Sequence, residues 1–286
     1  MTEPTPLPRA AKGTGLIVRD DQLSYTSVQG SSEYLSVARG YSELPRINNP
    51  EVSSNAQMAT ALRLRMKTTV VSALLKDPTV TSAYNSLSTS LTVEMDLFRQ
   101  RLTNAVSSQL RRDYTLLKRE GFVVDTSEQA HNSRLMSAMG RIKSEMQYTS
   151  ARASNLYNKT FAQVSERLKA DNPNIQKIVR YIAPQTFERV NHHSLSRGMS
   201  ALQRTSLQRA RMSAQATLYA EAGVEFVYWR LSSAHKDYGG SEVCEILAAS
   251  TGNIASRTRN EKGVYTLREA PQAPHPNCMC CLVPTK

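Results

Sequence analysis

No proline occurs between Pro78 and Pro173, and that gap sets most of what the chain can become. Proline inside a helix removes a backbone donor and clashes with the preceding turn, so this stretch is free to run helical over many turns. Apolar residues recur through it every three or four positions: Tyr84, Leu87, Leu91, Met95, Phe98, Leu102, Val106, Leu110, Tyr114 and Leu117. Their mean spacing is about 3.67 residues, close to that of a straight helix without left-handed supercoil. The spacing predicts one helix of about 35 residues, roughly 50 Å long. Gly121 and the residues to Thr126 break it, and Thr126 or Ser127 is placed to cap a second helix. That helix carries Leu135, Met139, Ile142, Met146, Leu156, Tyr157, Phe161, Val164 and Leu168, and Asp171-Asn172-Pro173-Asn174 ends it. An earlier helix near Ala56 to Leu75 carries Met58, Leu62, Met66, Val70 and Leu74, and shorter helices follow to Ala222. Each stripe reads first as helical core. Packing of the same faces on neighbouring subunits is the sharper version.

The flanks differ in kind. Residues 1–52 are punctuated by Pro4, Pro6, Pro8, Gly13, Gly15, Gly30, Gly40, Pro45 and Pro50, with no helical periodicity. Tyr25, Tyr34, Leu35, Val37, Tyr41 and Leu44 make them less polar than a free linker. They are expected to form an extended arm that orders by lying on a neighbouring subunit. Met1 to Pro8 lacks the apolar core of a signal peptide, and no stretch of about twenty apolar residues occurs to span a membrane. The division expected is an arm over 1–52, a basic helical domain over 53–222 and a small α+β module over 223–286. The fold class is mainly α: an elongated helical middle with long helices, the extended arm, and a C-terminal α+β knot organised by a metal.

The C-terminal module carries the chemistry. His275, Cys278, Cys280 and Cys281 crowd into the segment Pro274-His275-Pro276-Asn277-Cys278-Met279-Cys280-Cys281, and Cys244 lies upstream. Thiolates and imidazole at two- to three-residue spacing are how a chain collects ligands for a tetrahedral zinc ion. The set expected is Cys244, His275, Cys278 and Cys280, with His235, Asp237 and Cys281 as alternates. Three readings compete: cysteines that are small buried apolar residues, a knotted loop without metal, and a disulfide such as Cys244–Cys278, which needs an oxidising compartment.

Upstream of Cys244, an Arg-, Ala- and Gln-rich helical stretch stops at Ala222-Gly223, and Val224 to Ser232 reads as a strand. The order Trp229, Leu231, Ser232, then Cys244, then Gly263-Val264-Tyr265, then His275 to Cys280 resembles the C-terminal domain of phage head-morphogenesis proteins, the minor capsid family typified by the Mu F protein. The likeness covers about residues 200 to 284. Where many members carry a second cysteine beside the first, this chain has Ala248 and Ala249, and His235 or Asp237 stands as a replacement ligand. The resemblance implies a virion structural protein, a minor head component at the portal vertex inside the head, present in the host cytoplasm during assembly. It implies portal or major capsid protein as partner, self-association in a ring or around the portal, and contact with packaged DNA during packaging or delivery. Two residues follow Pro284, so no fused effector is expected.

Net charge is +12, and residues 53–222, with twenty-four basic and twelve acidic residues, account for all of it. Arg99, Arg101, Arg111, Arg112, Lys118 and Arg119 lie along the first long helix; Arg197, Arg204, Arg209 and Arg211 lie in an acid-free stretch further on. Arginine suits phosphate, and without interleaved aromatics any DNA contact would be to the backbone. Docking on an acidic portal or capsid surface, or plain solvation, explains the same charges. An enzyme is not expected: no phosphate-binding glycine loop, no G-x-S-x-G elbow and no H-E-x-x-H occurs, and the zinc-deaminase spacing is not met. The alternative function is a zinc-knot protein that binds nucleic acid through its basic helical face.

Overall fold

The computed structural model describes residues 12–19, 22–29, 46–47, 51–184, 194–232, 242–249, 263–270 and 280–285. In chain order these form β1 (Lys12–Arg19), β2 (Gln22–Gln29), β3 (Arg46–Ile47), α1 (Glu51–Met66), a π-helical turn (Lys67–Val71) and α2 (Ser72–Lys76). Then come α3 (Val80–Arg119), α4 (Glu128–Leu168), α5 (Ile175–Ile182), α6 (Leu195–Glu221), β4 (Phe226–Ser232), α7 (Glu242–Ala249), β5 (Val264–Thr266) and β6 (Cys281–Thr285). The fold is mainly α, as the sequence predicts, with long helices and a small C-terminal sheet. The chain divides into two compact units, one of residues 1–49, 109–130 and 212–286, the other of residues 50–108 and 131–211.

The second unit is all helix. Its core joins Leu62, Met66, Val70 and Leu74 to Leu87 of α3, Ala153, Tyr157 and Val164 of α4, Ile178 and Ile182 of α5, and Leu195 and Met199 of α6. The π-helical turn follows from the spacing of the first set. Met58, Leu62, Met66, Val70 and Leu74 are four residues apart, so in a regular helix the stripe would drift by about 40° per step. One widened turn absorbs most of that drift, and all five side chains stay buried. Thr68 and Thr69 hydroxyls donate back to the Arg65 carbonyl, and Ser72 to that of Lys67, which holds the turn open. α4 starts where expected: the Ser127 hydroxyl accepts from the Ala130 backbone N–H at 3.2 Å, and Asp125 accepts from that of Ser127.

The first unit holds both sheets. β1 and β2 pair antiparallel, Arg19 opposite Gln22, so residues 12–19 and 22–29 of the expected arm form a two-stranded sheet. β4 is the centre of the other sheet, antiparallel to β5 and β6 and, over Leu231 and Ser232, parallel to β3. Val227, Trp229 and Leu231 alternate inward and are buried. Leu282 and Pro284 of β6 lie opposite Trp229 and Val227 and are buried as well. Proline is tolerated there because, among the described residues, β6 pairs with β4 alone.

α6 departs from the expectations: it is 27 residues long rather than one of several short helices. Many of its polar side chains are buried, the serines Ser196, Ser200, Ser206 and Ser213 and the longer Gln203, Gln208 and Gln215 among them. Small polar side chains let other elements approach closely, and nothing in their local pattern marks them as interior. It ends at Gly223 (φ 71°), where the Val224 N–H returns to the Tyr219 carbonyl at 2.9 Å and turns the chain into β4.

Candidate functional site

The described segments of the C-terminal motif pack into one module. The Trp229 N–H donates to the Gly263 carbonyl at 2.7 Å, and the Tyr265 hydroxyl to the Leu247 carbonyl at 2.6 Å, tying α7 to the sheet. Gly263 has φ 76°, and a Cβ there would sit 2.9 Å from the Ala248 carbonyl oxygen and 3.1 Å from that of Trp229. Both neighbours are backbone and cannot swing aside, so the glycine of Gly-Val-Tyr is required by close approach as well as by its left-handed conformation.

Cys244, on α7, and Cys280, just before β6, are each fully buried in this unit. Cys281, the first residue of β6, is half-buried opposite Arg230. His275, Cys278 and the alternates His235 and Asp237 lie outside the described residues. Among the described residues, no three His, Cys, Asp or Glu side chains gather as a metal site. The two described members of the expected ligand set are shielded from water, as zinc ligands and small apolar cysteines alike are.

Beside β6 lies a buried polar cluster with no counterpart in the expectations. The Asp113 carboxylate of α3 is fully buried. It accepts from Gln109 Nε2 at 3.0 Å to each oxygen, from Gln215 Nε2 at 2.8 Å and from the Tyr219 hydroxyl at 3.2 Å. Gln215 Nε2 also reaches the Leu282 carbonyl at 3.0 Å, so the cluster fastens β6 to α6 and α3 within one unit. Burial pushes the Asp113 carboxyl up to about 7, against the opposing pull of its Gln109, Gln215 and Tyr219 hydrogen bonds and of the Arg112 charge. Burial, and then the Asp113 charge, holds the Tyr219 hydroxyl well above its usual range, which keeps it a donor.

The ten candidate contact cations sort by exposure. Arg99, Arg111, Lys118 and Arg119 are exposed; Arg111 pairs with Glu128 at 3.1 Å and Arg119 with Glu120 at 3.1 Å. Arg112 is partly buried and donates to Gln109 Oε1 at 2.8 Å. Arg101 is half-buried among the side chains of the second unit. On α6, Arg197, Arg204 and Arg209 are partly buried and Arg211 is buried. Arg204 Nε turns to the Ser200 carbonyl, and the Arg209 guanidinium lies 5.2 Å from the Tyr148 ring centroid. The α6 arginines therefore serve packing more than an open basic face, and the exposed cations belong to α3.

Among the described residues, no helix is long and apolar enough to cross a membrane. Comparison of the chain with protein-family models, curated proteins and solved structures finds no match.

Proposed function

We propose that the chain is a phage virion structural protein: a minor head protein that docks at the portal vertex and acts in capsid assembly. The observation that carries this reading is the packing of the C-terminal module. Trp229, Leu231 and Ser232 lie on its central strand, Gly263 to Tyr265 on or beside one neighbour, and Cys280, the described end of the closing motif, just before the other. The described parts of a motif scattered over fifty residues fall in one small unit, which supports a common module better than a chance match of short strings. Exposed apolar side chains are consistent with an assembly partner: Met136 is 71% exposed and Met139 40%, one turn apart on α4.

In this reading Cys244 and Cys280 supply two zinc ligands, with His275 and Cys278 completing the set. Such an ion would add folding energy to a small sheet and carry no catalytic role. Partners are the portal or major capsid protein, other copies of the chain around the portal, and packaged DNA through its phosphates.

The DNA-binding alternative rests on Arg99 and Lys118, exposed on α3 with no carboxylate partner among the described residues. Gradient sedimentation of particles from infected cells tests the leading reading. The chain is expected in head and procapsid fractions at a low, constant ratio to the major capsid protein. Recovery only with free DNA, released by salt, would favour the alternative.

A further inference from the structure

A concavity of about 200 Å³ in the helical unit is lined by Arg167, Lys177, Arg180 and Tyr181. Three cations and a phenol meet there, and among the described residues no carboxylate lines the wall. The local sequence explains the arrangement. Ile178, Val179 and Ile182 bury one face of α5, so Lys177, Arg180 and Tyr181, spaced i, i+3 and i+4, share the opposite side. Asn174 fixes the start of this helix by accepting from the Lys177 backbone N–H at 3.0 Å. Arg167, near the end of α4, arrives across the Asp171–Asn174 turn and is held in place: its Nη2 donates to the Tyr181 hydroxyl at 2.7 Å, with its guanidinium 4.3 Å from the ring centroid.

Lys177 and Arg180 are exposed and have no carboxylate partner among the described residues. Two unneutralised cations beside a preorganised third form an electrostatic sink for an anion. One open concavity that gathers three cations, rather than a strip of charge along a helix, matches a compact group with several free oxygens. A terminal phosphate offers two charges and three such oxygens, whereas a backbone diester offers one charge and is read along a surface.

We infer that Arg167, Lys177, Arg180 and Tyr181 form a binding site for a terminal phosphate, either of a free oligophosphate or at the 5′ end of a nucleic-acid strand. The site does not depend on the head-protein reading. The full chain is titrated calorimetrically with sodium pyrophosphate, with a short 5′-phosphorylated single-stranded DNA, and with the same DNA lacking its 5′ phosphate. Saturable binding of at least one phosphorylated probe is expected, stronger than that of the unphosphorylated strand. Which phosphorylated probe binds better identifies the source. Replacing both exposed cations (K177Q with R180Q) is expected to weaken binding tenfold or more, by roughly the worth of one charged hydrogen bond. The melting temperature should not move, since both side chains are exposed. No saturable binding of either phosphorylated probe, equal binding of the unphosphorylated strand, or unchanged affinity in the double variant would overturn the assignment.

Discussion

Stability should fall by about 3 kcal/mol between pH 5 and pH 8 through Asp113 alone, and replacing it by asparagine should remove that slope. The carboxyl titrates near 3.8 when solvated and at about 7 in the folded chain. Between those values the native state keeps a proton that the unfolded state has released. By linkage, the stabilisation is complete below the unfolded value and is lost as pH rises through the folded one. The rise from 3.8 to about 7 corresponds to about 4 kcal/mol in total, most of it falling between pH 5 and 8. In Asp113→Asn, the new amide could still accept from Gln215 and Tyr219 through its one oxygen. Its NH2 group would face Gln109, whose own oxygen is engaged by Arg112, so the variant should carry a fixed, pH-independent cost. Urea unfolding of both proteins at several pH values checks this; parallel curves would refute it.

Glu94→Ala is the second large effect, with an expected loss of about 3–5 kcal/mol. Glu94 of α3 has a side chain only 2% exposed and takes both branches of the Arg65 guanidinium, at 2.5 and 2.8 Å. Removing it leaves more than one uncompensated cation. Arg101 lies close enough for its basicity to be lowered, by burial first and then by the Arg65 charge, with Glu94 opposing, and its Nη1 is buried with no hydrogen-bond partner among the described residues. Tyr157, whose hydroxyl lies 3.1 Å from that of Ser90, shares the same buried region, and burial holds it above its usual range. Replacing Glu94 and Arg65 together by leucine and methionine should recover most of the loss, because the cost comes from stranding a charge more than from losing an attraction. A loss below about 1 kcal/mol, typical of an exposed pair, would contradict this account of Glu94.

The helical skeleton was legible because it is written locally. The proline gap, the 3.67-residue stripe, the cap at Ser127 and the breaks at Gly121 and Gly223 each act within a few residues. The π-helical turn was written as well, in the four-residue spacing from Met58 to Leu74, but that spacing passes for ordinary helix unless its drift is followed. Asp113 was hidden for a different reason. It follows Arg111 and Arg112 and looks like part of a charged surface, while Gln215, Tyr219 and Leu282, which make it interior, lie about a hundred residues or more downstream. The arginines of α6 are plain in the sequence, and the neighbours that bury Arg211 and partly bury Arg197, Arg204 and Arg209 are not. Of the expected ligand set, Cys244 and Cys280 are buried in one unit, whereas His275 and Cys278 fall outside the described residues.

Native mass spectrometry of the purified chain, alone and mixed with its cognate portal protein, tests the central claim most directly. The account predicts a chain carrying one zinc ion that joins the portal ring in a fixed number of copies. A metal-free chain that leaves the portal ring unaltered and instead adds mass only with DNA would contradict it.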